Sequence, residues 1–203
     1  MLTEKERLKK IDKASKAYSK FMDIILPGWE KLDKSKDTPM RVSKLFINEF
    51  LNKEYGQEPK ITVFDNDGPY DGIVSQIGIP LVSICAHHHL PFMGYCHIAY
   101  IATPNSKIIG LSKLNRVVKF LSGTTSVQEE LTMTIHNKLN ELLFGNDGVS
   151  VVIEAQHTCV KARGVKDDTT MKTAKFSGNF FSNEKGSRDE FLSYIRDWHN
   201  TSR

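Results

Sequence analysis

The chain has 203 residues, 39% of them hydrophobic and 26% charged, with 28 Lys+Arg against 24 Asp+Glu and three cysteines. At about 100–200 residues per domain this suits one domain, or one with an appendage, and is enough to bury a core. A formal net charge of +4 is too mild to call for a nucleic-acid partner, and a low, odd cysteine count excludes a disulfide scaffold and points to a reducing compartment. The opening MLTEKERLKKIDKASK lacks the apolar core of about 7–15 residues that a signal peptide needs. No run reaches the ~18 apolar residues of a membrane helix. The expectation is a soluble cytoplasmic protein that binds neither membrane nor nucleic acid.

Leu8, Ile11, Tyr18, Met22 and Ile25 fall on one stripe of a helix that Pro27 and Gly28 end. Asp37-Thr38-Pro39 offers a cap and a first-turn proline for a second helix, with Val42, Leu45, Phe46 and Phe50 as its buried face. A polar stretch over 55–69 follows, and Asn66-Asp67-Gly68-Pro69 is its strongest breaker. An N-terminal helical appendage is therefore expected over 1–68 and a second domain over 69–203.

From Gly72 the pattern turns to short β-rich runs at 73–77, 81–85, 96–101 and 107–109. Ser112 is placed to cap a helix carrying Leu114, Val117, Val118 and Leu121, and Ser126 to open another carrying Leu131, Ile135, Leu139 and Leu142. Residues 149–159 read as one long strand and 171–180 as a further one. Ser187 with Glu190 forms a capping box for a last helix that buries Phe191, Tyr194, Ile195 and Trp198. Strands and helices grouped in this way, rather than alternating, favour an α+β fold with an antiparallel sheet.

Composition does not explain Cys85-Ala-His-His88-His89. The two-residue gap between Cys85 and His88 lets a turn present both to one Zn²⁺. A surface or turn-capping role is the plainer reading of any single histidine there, but not of the cluster. On the predicted strand, His157 and Cys159 share a face with Val149, Val151, Ile153 and Ala155. Joined, the two segments offer Cys85, His88, Cys159 and one further ligand. With His157 as the fourth the site is closed and structural; with water it is open and catalytic. Lys113, Arg116, Lys161 and Arg163 flank these segments, and Arg41 with Lys44 shares a helical face at i, i+3 spacing. Solvated surface charge is the plainer reading of each alone, yet Arg forks and Lys point charges beside a metal suit a nucleotide polyphosphate.

Over 38–180 the chain resembles the GTP cyclohydrolase I family, zinc enzymes of the tunnelling fold. The resemblance rests on Cys85-Ala-His-His88, Gly110-Leu-Ser-Lys-Leu-Asn-Arg116, Val127-Gln-Glu-Glu-Leu-Thr132 and Glu154-Ala-Gln-His-Thr-Cys-Val-Lys-Ala-Arg-Gly164, with Thr38-Pro-Met-Arg41 as a weaker fifth block. Several blocks in one order and spacing are far more specific than any alone. The resemblance implies an antiparallel sheet with two helices packed on one face, preceded by N-terminal helices. It implies that GTP is hydrolysed and rearranged to 7,8-dihydroneopterin triphosphate and formate.

By the same resemblance, Cys85, His88 and Cys159 would hold Zn²⁺, leaving the fourth position to water and His157 to proton transfer. His87 would act near the ribose ring oxygen, and Ser112 in the later rearrangement. Gln128 and Glu129 would recognise guanine, while Lys113, Arg116 and Arg163 would hold the triphosphate, helped by Arg41 and Lys44 of the same or an adjacent subunit. The implied assembly is a homodecamer of two pentamers with interfacial active sites. A rival for Glu129 is a capping box with Ser126. The chain departs from the family at Ala86, where a Glu is usual, at Glu130, where an Arg is usual, and in the less basic approach Gly123-Thr-Thr-Ser126. The alternative to an enzyme is a non-catalytic relative whose structural zinc is bound by Cys85, His88, His157 and Cys159. Cys96 matches nothing in the site and reads as a packing residue.

Overall fold

Thr3 starts the first helix, α1 (Glu4–Ile25). Its hydroxyl accepts from the Glu6 N–H at 3.3 Å, and the Glu6 carboxylate accepts from the Thr3 N–H at 2.8 Å. This capping box satisfies donors that a helix start leaves open. The structure, a computed structural model, describes residues 2–68 and 70–201, and the chain divides into two units between Glu58 and Pro59. In the first unit, only Ile11 of the expected α1 stripe is buried, while Leu8 and Ile25 are exposed. A single-turn helix at Trp29–Lys31 leads to α2 (Thr38–Leu45), which carries Pro39 in its first turn and continues into a wide turn at Phe46–Phe50 and then α3 (Asn52–Tyr55). Pro39, Ser43 and Ile47 are the buried positions, whereas the expected Val42, Leu45, Phe46 and Phe50 are half-buried.

The division falls before the expected 68/69 boundary because β1 (Val63–Asp65) already belongs to the second unit. The strands there are β2 (Gly72–Cys85), β3 (Pro91–Ala102) and β4 (Lys107–Ile109), and β4 pairs antiparallel with β1. Asn66 turns the chain between β1 and β2 by donating to the carbonyls of Tyr70 and Thr103; Pro69 of the expected turn lies outside the described residues. Then come α4 (Leu111–Ser122), β5 (Thr125–Ser126), α5 (Gln128–Leu142), β6 (Val149–His157), the one-turn α6 (Thr158–Lys161), β7 (Thr170–Phe176), the one-turn α7 (Asn179–Ser182) and α8 (Ser187–Thr201). The main sheet has the order β5-β2-β3-β6-β7, antiparallel throughout except for the two-residue parallel pair β2/β5. The fold is thus α+β, as expected.

Helices α4 and α5 pack on one face of the sheet. Leu114, Val117, Val118, Leu131, Ile135 and Leu139 meet Leu81, Phe92, Ile98, Val151 and Ile153 in a single core. Removing any of these side chains to alanine costs about 2–5 kcal/mol for the larger aliphatics. Helix α8 covers part of the other face through Phe191 and Ile195, which join Ala99, Val152 and Phe180. Phe180, expected at the end of a strand, sits instead on α7 and plugs this second core, because β7 stops at Phe176.

A bulge decides which face each half of β2 presents. Gln76 pairs with Ile98 and Ile79 with Cys96, so β2 carries one extra residue there. Gly78 within it has φ +75°, and Trp198 of α8 lies over it so closely that an added Cβ would come within 2.7 Å of the indole. The Gly78 N–H donates to His97 Nδ1 at 3.2 Å, which leaves the His97 Nε2–H to donate to Glu154 Oε1 at 3.3 Å. Glu154 also meets His199 at 2.8 Å and Lys172 at 2.9 Å. A cavity of about 690 Å³ opens beside this cluster, lined by Tyr95, Glu154, Lys172 and Trp198 among others.

Candidate metal centre and active site

Strand β2 ends at Cys85, and the turn after it is closed by two bonds: the Cys85 N–H donates to the Leu90 carbonyl and the His89 N–H to the Cys85 carbonyl, both at 2.9 Å. His89 adopts φ +53° to make this turn. The turn folds His88 back so that its Nδ1 lies 3.8 Å from Cys85 Sγ. Across the sheet β6 ends at His157, not at Cys159 as the alternation in sequence predicts. Thr158 donates its hydroxyl to the Pro91 carbonyl at 2.6 Å and the chain turns into α6. Cys159 therefore reaches the site from a helical turn.

The donor atoms of Cys85, His88 and Cys159 all lie within 4.8 Å of one another. Zinc–sulfur and zinc–nitrogen bonds of about 2.3 and 2.0 Å set tetrahedral edges of about 3.5 Å; the 3.8 Å pair is close to one such edge, and the trio has the donor chemistry of a Zn²⁺ site. Both cysteines are buried and unpaired by disulfide. Without a cation the Cys159 thiol is pushed above its ordinary value, by burial first and then by Cys85 beside it. A divalent cation reverses that, because it stabilises two adjacent thiolates. His88 is held below the usual imidazole value by desolvation, then by the positive charges of Arg163 and His87, which favours the neutral ligand form. Arg163 contacts His88 Nε2, the ring nitrogen away from Cys85. His157 is not a member of the trio.

The chain from 15 to 196 matches the family described as GTP cyclohydrolase I. It is 42% identical over 165 residues to GTP cyclohydrolase 1 of Erwinia tasmaniensis, covering 81% of this chain and 73% of that one. Against GTP cyclohydrolase 1 of Flavobacterium johnsoniae it is 36% identical over 197 residues, 96% of this chain and 84% of the other. The chain belongs to the GTP cyclohydrolase I family. The α+β architecture with N-terminal helices is that of the family's tunnelling fold. No described helix is long and apolar enough to cross a membrane.

His157, Phe92 and Gln128 come together as well. His157 stacks on Phe92 with ring centroids 4.5 Å apart and planes 7° from parallel, and its Nε2 lies 2.9 Å from Gln128 Oε1. Desolvation lowers the His157 pKa, opposed by the negative charge of Glu129. Gln128 is buried and its amide is used internally, so its side chain is not offered to a ligand. Glu129 is exposed. The expected capping box does not form: Val127, not Ser126, is the N-cap of α5, and the Ser126 hydroxyl donates to the Val127 carbonyl at 2.8 Å. Glu129 is not occupied in capping its own helix.

Ser112 also differs from expectation. Gly110 is the N-cap of α4, so Ser112 lies inside the first turn with an exposed side chain that makes no cap. Lys113 and Arg116 share that part of α4 one turn apart. His87 is exposed, its ring 6.2 Å from that of His88. Lys161 pairs with Asp168 at 2.7 Å. Arg41 and Lys44 lie on α2 of the first unit, where Arg41 meets Asp37 at 3.6 Å. By resemblance Gln128 is expected at the guanine, and its internal hydrogen bonds to β6, β7 and His157 leave no periodicity in sequence to find them by. Cys96 is fully buried and its thiol pushed far up by desolvation, as suits packing.

Proposed function

We propose that the chain opens the guanine ring of GTP by hydrolysis, releases C8 as formate, and rearranges and recloses the remainder to 7,8-dihydroneopterin triphosphate. Membership of the GTP cyclohydrolase I family supports the reaction. The observation that carries the mechanism is the separation of Cys85, His88 and Cys159 from His157: three donors form one group, and the nearby imidazole is engaged elsewhere. That favours an open zinc site over the closed, structural alternative.

When bound by these three residues, Zn²⁺ supplies a Lewis acid and a source of hydroxide at neutral pH. The protein's own groups do the rest. His157 exchanges protons at the guanine five-membered ring, as an imidazole can. Glu129 accepts hydrogen bonds from the guanine N1–H and 2-amino group. Lys113, Arg116 and Arg163 hold the triphosphate, with Arg41 and Lys44 contributing from the same or an adjacent subunit. His87 serves the ribose ring oxygen and Ser112 the rearrangement. Ala86 and Glu130 in place of a usual Glu and Arg tune the metal surroundings and the anion site.

The assembly in this reading is a homodecamer of two pentamers with interfacial sites. It is supported by the open edges of the sheet: β7 has one neighbour, and β5 covers only the last two residues of β2. A cytoplasmic location fits three free cysteines. The deciding experiment incubates purified protein with GTP, with and without a chelator. Expected are about one zinc per chain, formate, and a product that fluoresces after oxidation, all lost on chelation. Bound zinc without formate would overturn the reading.

A further inference from the structure

Gln128 is the first residue of α5 and is 1% exposed. Its Nε2 faces the carbonyls of Ile153 at 3.1 Å and Met171 at 3.2 Å, and the Thr173 hydroxyl at 3.1 Å. Carbonyl oxygens only accept, so this end of the amide is the NH₂, and the orientation of the side chain is determined by β6 and β7 rather than by choice. The other end, Oε1, lies 2.9 Å from His157 Nε2. An amide oxygen has no proton to give, so His157 must carry its hydrogen on Nε2. Two further contacts stiffen the arrangement. Thr132 donates to the Gln128 carbonyl at 2.8 Å, and its hydroxyl lies 2.6 Å from that of Thr173. The Phe92 ring, stacked on His157, closes the remaining freedom of the imidazole.

We infer that Gln128 is a positioning residue: it fixes His157 in the Nε2–H tautomer and leaves Nδ1 as the one atom able to exchange a proton with substrate. This rests on the functional reading above and extends it to a direction of transfer. A neutral Nδ1 bears a lone pair, so His157 receives a proton before it donates one. As water adds to C8, its oxygen bonds to that carbon and its proton passes to Nδ1. The same proton then moves to the ring nitrogen whose double bond to C8 becomes single, so that one water has been added across the C8–N bond and His157 returns to neutral. Gln128 Oε1 accepts from Nε2–H throughout, and accepts more strongly from the imidazolium. The Gln128 side chain, for which the family resemblance implies guanine recognition, thus acts through its neighbour.

The test uses zinc-loaded, full-length protein labelled with ¹⁵N-histidine and examined by solid-state NMR. The His157 signals, identified by their loss in His157→Ala, are expected to show Nε2 protonated and Nδ1 bare. A protonated Nδ1 in the neutral wild-type ring overturns the inference without touching the functional reading, which stands or falls on formate release. The second arm is Gln128→Met, similar in volume but without the amide. It is expected to keep its zinc and its KM for GTP, to lower kcat by about 10–100-fold, and to lose the single Nε2–H signature. Unchanged kcat in folded, zinc-loaded Gln128→Met also overturns it. Should that variant fail to fold, the wild-type tautomer decides the question.

Discussion

Cys85 and Ser126 are direct partners in the two-residue parallel pair between β2 and β5. The Ala86 N–H donates to the Ser126 carbonyl at 3.2 Å beside it. This short pairing joins the turn that carries the metal ligands to the start of α5, two residues before Gln128 and three before Glu129. The candidate metal ligand Cys85 and the exposed Glu129, more than 40 positions apart in sequence, are thereby held to one strand end.

Removing a ligand and removing His157 are expected to have different signatures. Cys85→Ala and Cys159→Ala should each lose bound zinc and formate production together. His157→Ala should retain about one zinc per chain and lose turnover by about 10²–10⁴-fold. Metal analysis on the same samples used for the formate assay checks this, and zinc loss from His157→Ala would make it a ligand.

Glu129→Gln separates guanine recognition from helix capping. Because Glu129 makes no cap on α5, the substitution should leave stability within about 0.5 kcal/mol of wild type. Loss of a charged acceptor, worth about 1.5–3 kcal/mol, should lower kcat/KM for GTP by about 10–100-fold. Thermal melting and steady-state kinetics on one preparation read both. A large drop in melting temperature with unchanged kinetics would return Glu129 to the capping role.

Much of this was legible in sequence because ligand spacing and helix periodicity are local properties. Cys85 and His88 meet through a turn that their two-residue gap already permits, and the stripes of α4 and α5 are buried as their periodicity predicts, except for the half-buried Leu142 at the end of α5. What escaped depended on distant partners. Ile73, Ile77, Ile79 and Cys85 share one parity, yet the first two face α8 and the last two face α4 and α5, because the bulge at Gly78 inserts a residue between them. Nothing in alternation marks that. The caps at Ser112 and Ser126 failed for a similar reason: Gly110 and Val127 take the extended conformation before each helix, which leaves the Ser112 side chain exposed in the first turn and the Ser126 hydroxyl donating to the Val127 carbonyl.

Acid should destabilise the second unit in two stages. His97 is fully buried, and desolvation holds its pKa down, with Glu154 opposing; the unfolded chain therefore binds more protons as pH falls through about 6.5. Glu154 is held below its ordinary value although burial opposes this, because Lys172, His97 and His199 together outweigh it. A depressed carboxylate contributes stability above its unfolded value of about 4.3, and that contribution is lost as pH falls towards the folded value. Denaturant melts between pH 7 and 3 should show the slope of stability against pH shallower in Glu154→Gln than in wild type, chiefly below about pH 5. Equal slopes would mean that the cluster does not titrate on unfolding. The cluster lies on the face of the sheet away from the metal ligands, so the difference between the two proteins isolates it from zinc loss.

Gly78 and Trp198 should behave as one unit. An alanine at Gly78 must adopt φ +75° and place its Cβ 2.7 Å from the indole. The left-handed backbone costs about 1–2 kcal/mol and the overpacking about 1–3 kcal/mol more. Trp198→Ala removes only the second cost, at the expense of the ring's own contacts with Tyr95 and His97. Gly78→Ala is therefore expected to be markedly less harmful in the Trp198→Ala background, and a double-mutant cycle of unfolding free energies should give a coupling of about 1–3 kcal/mol. Strictly additive effects would mean that α8 does not seat on the bulge. Deleting Gly78 tests the same feature from the other side. Without the extra residue, Ile77 and Ile79 become neighbours in a regular strand, so Ile79 and Cys85 keep the face of α4 and α5, and a protein that still folds should still bind zinc.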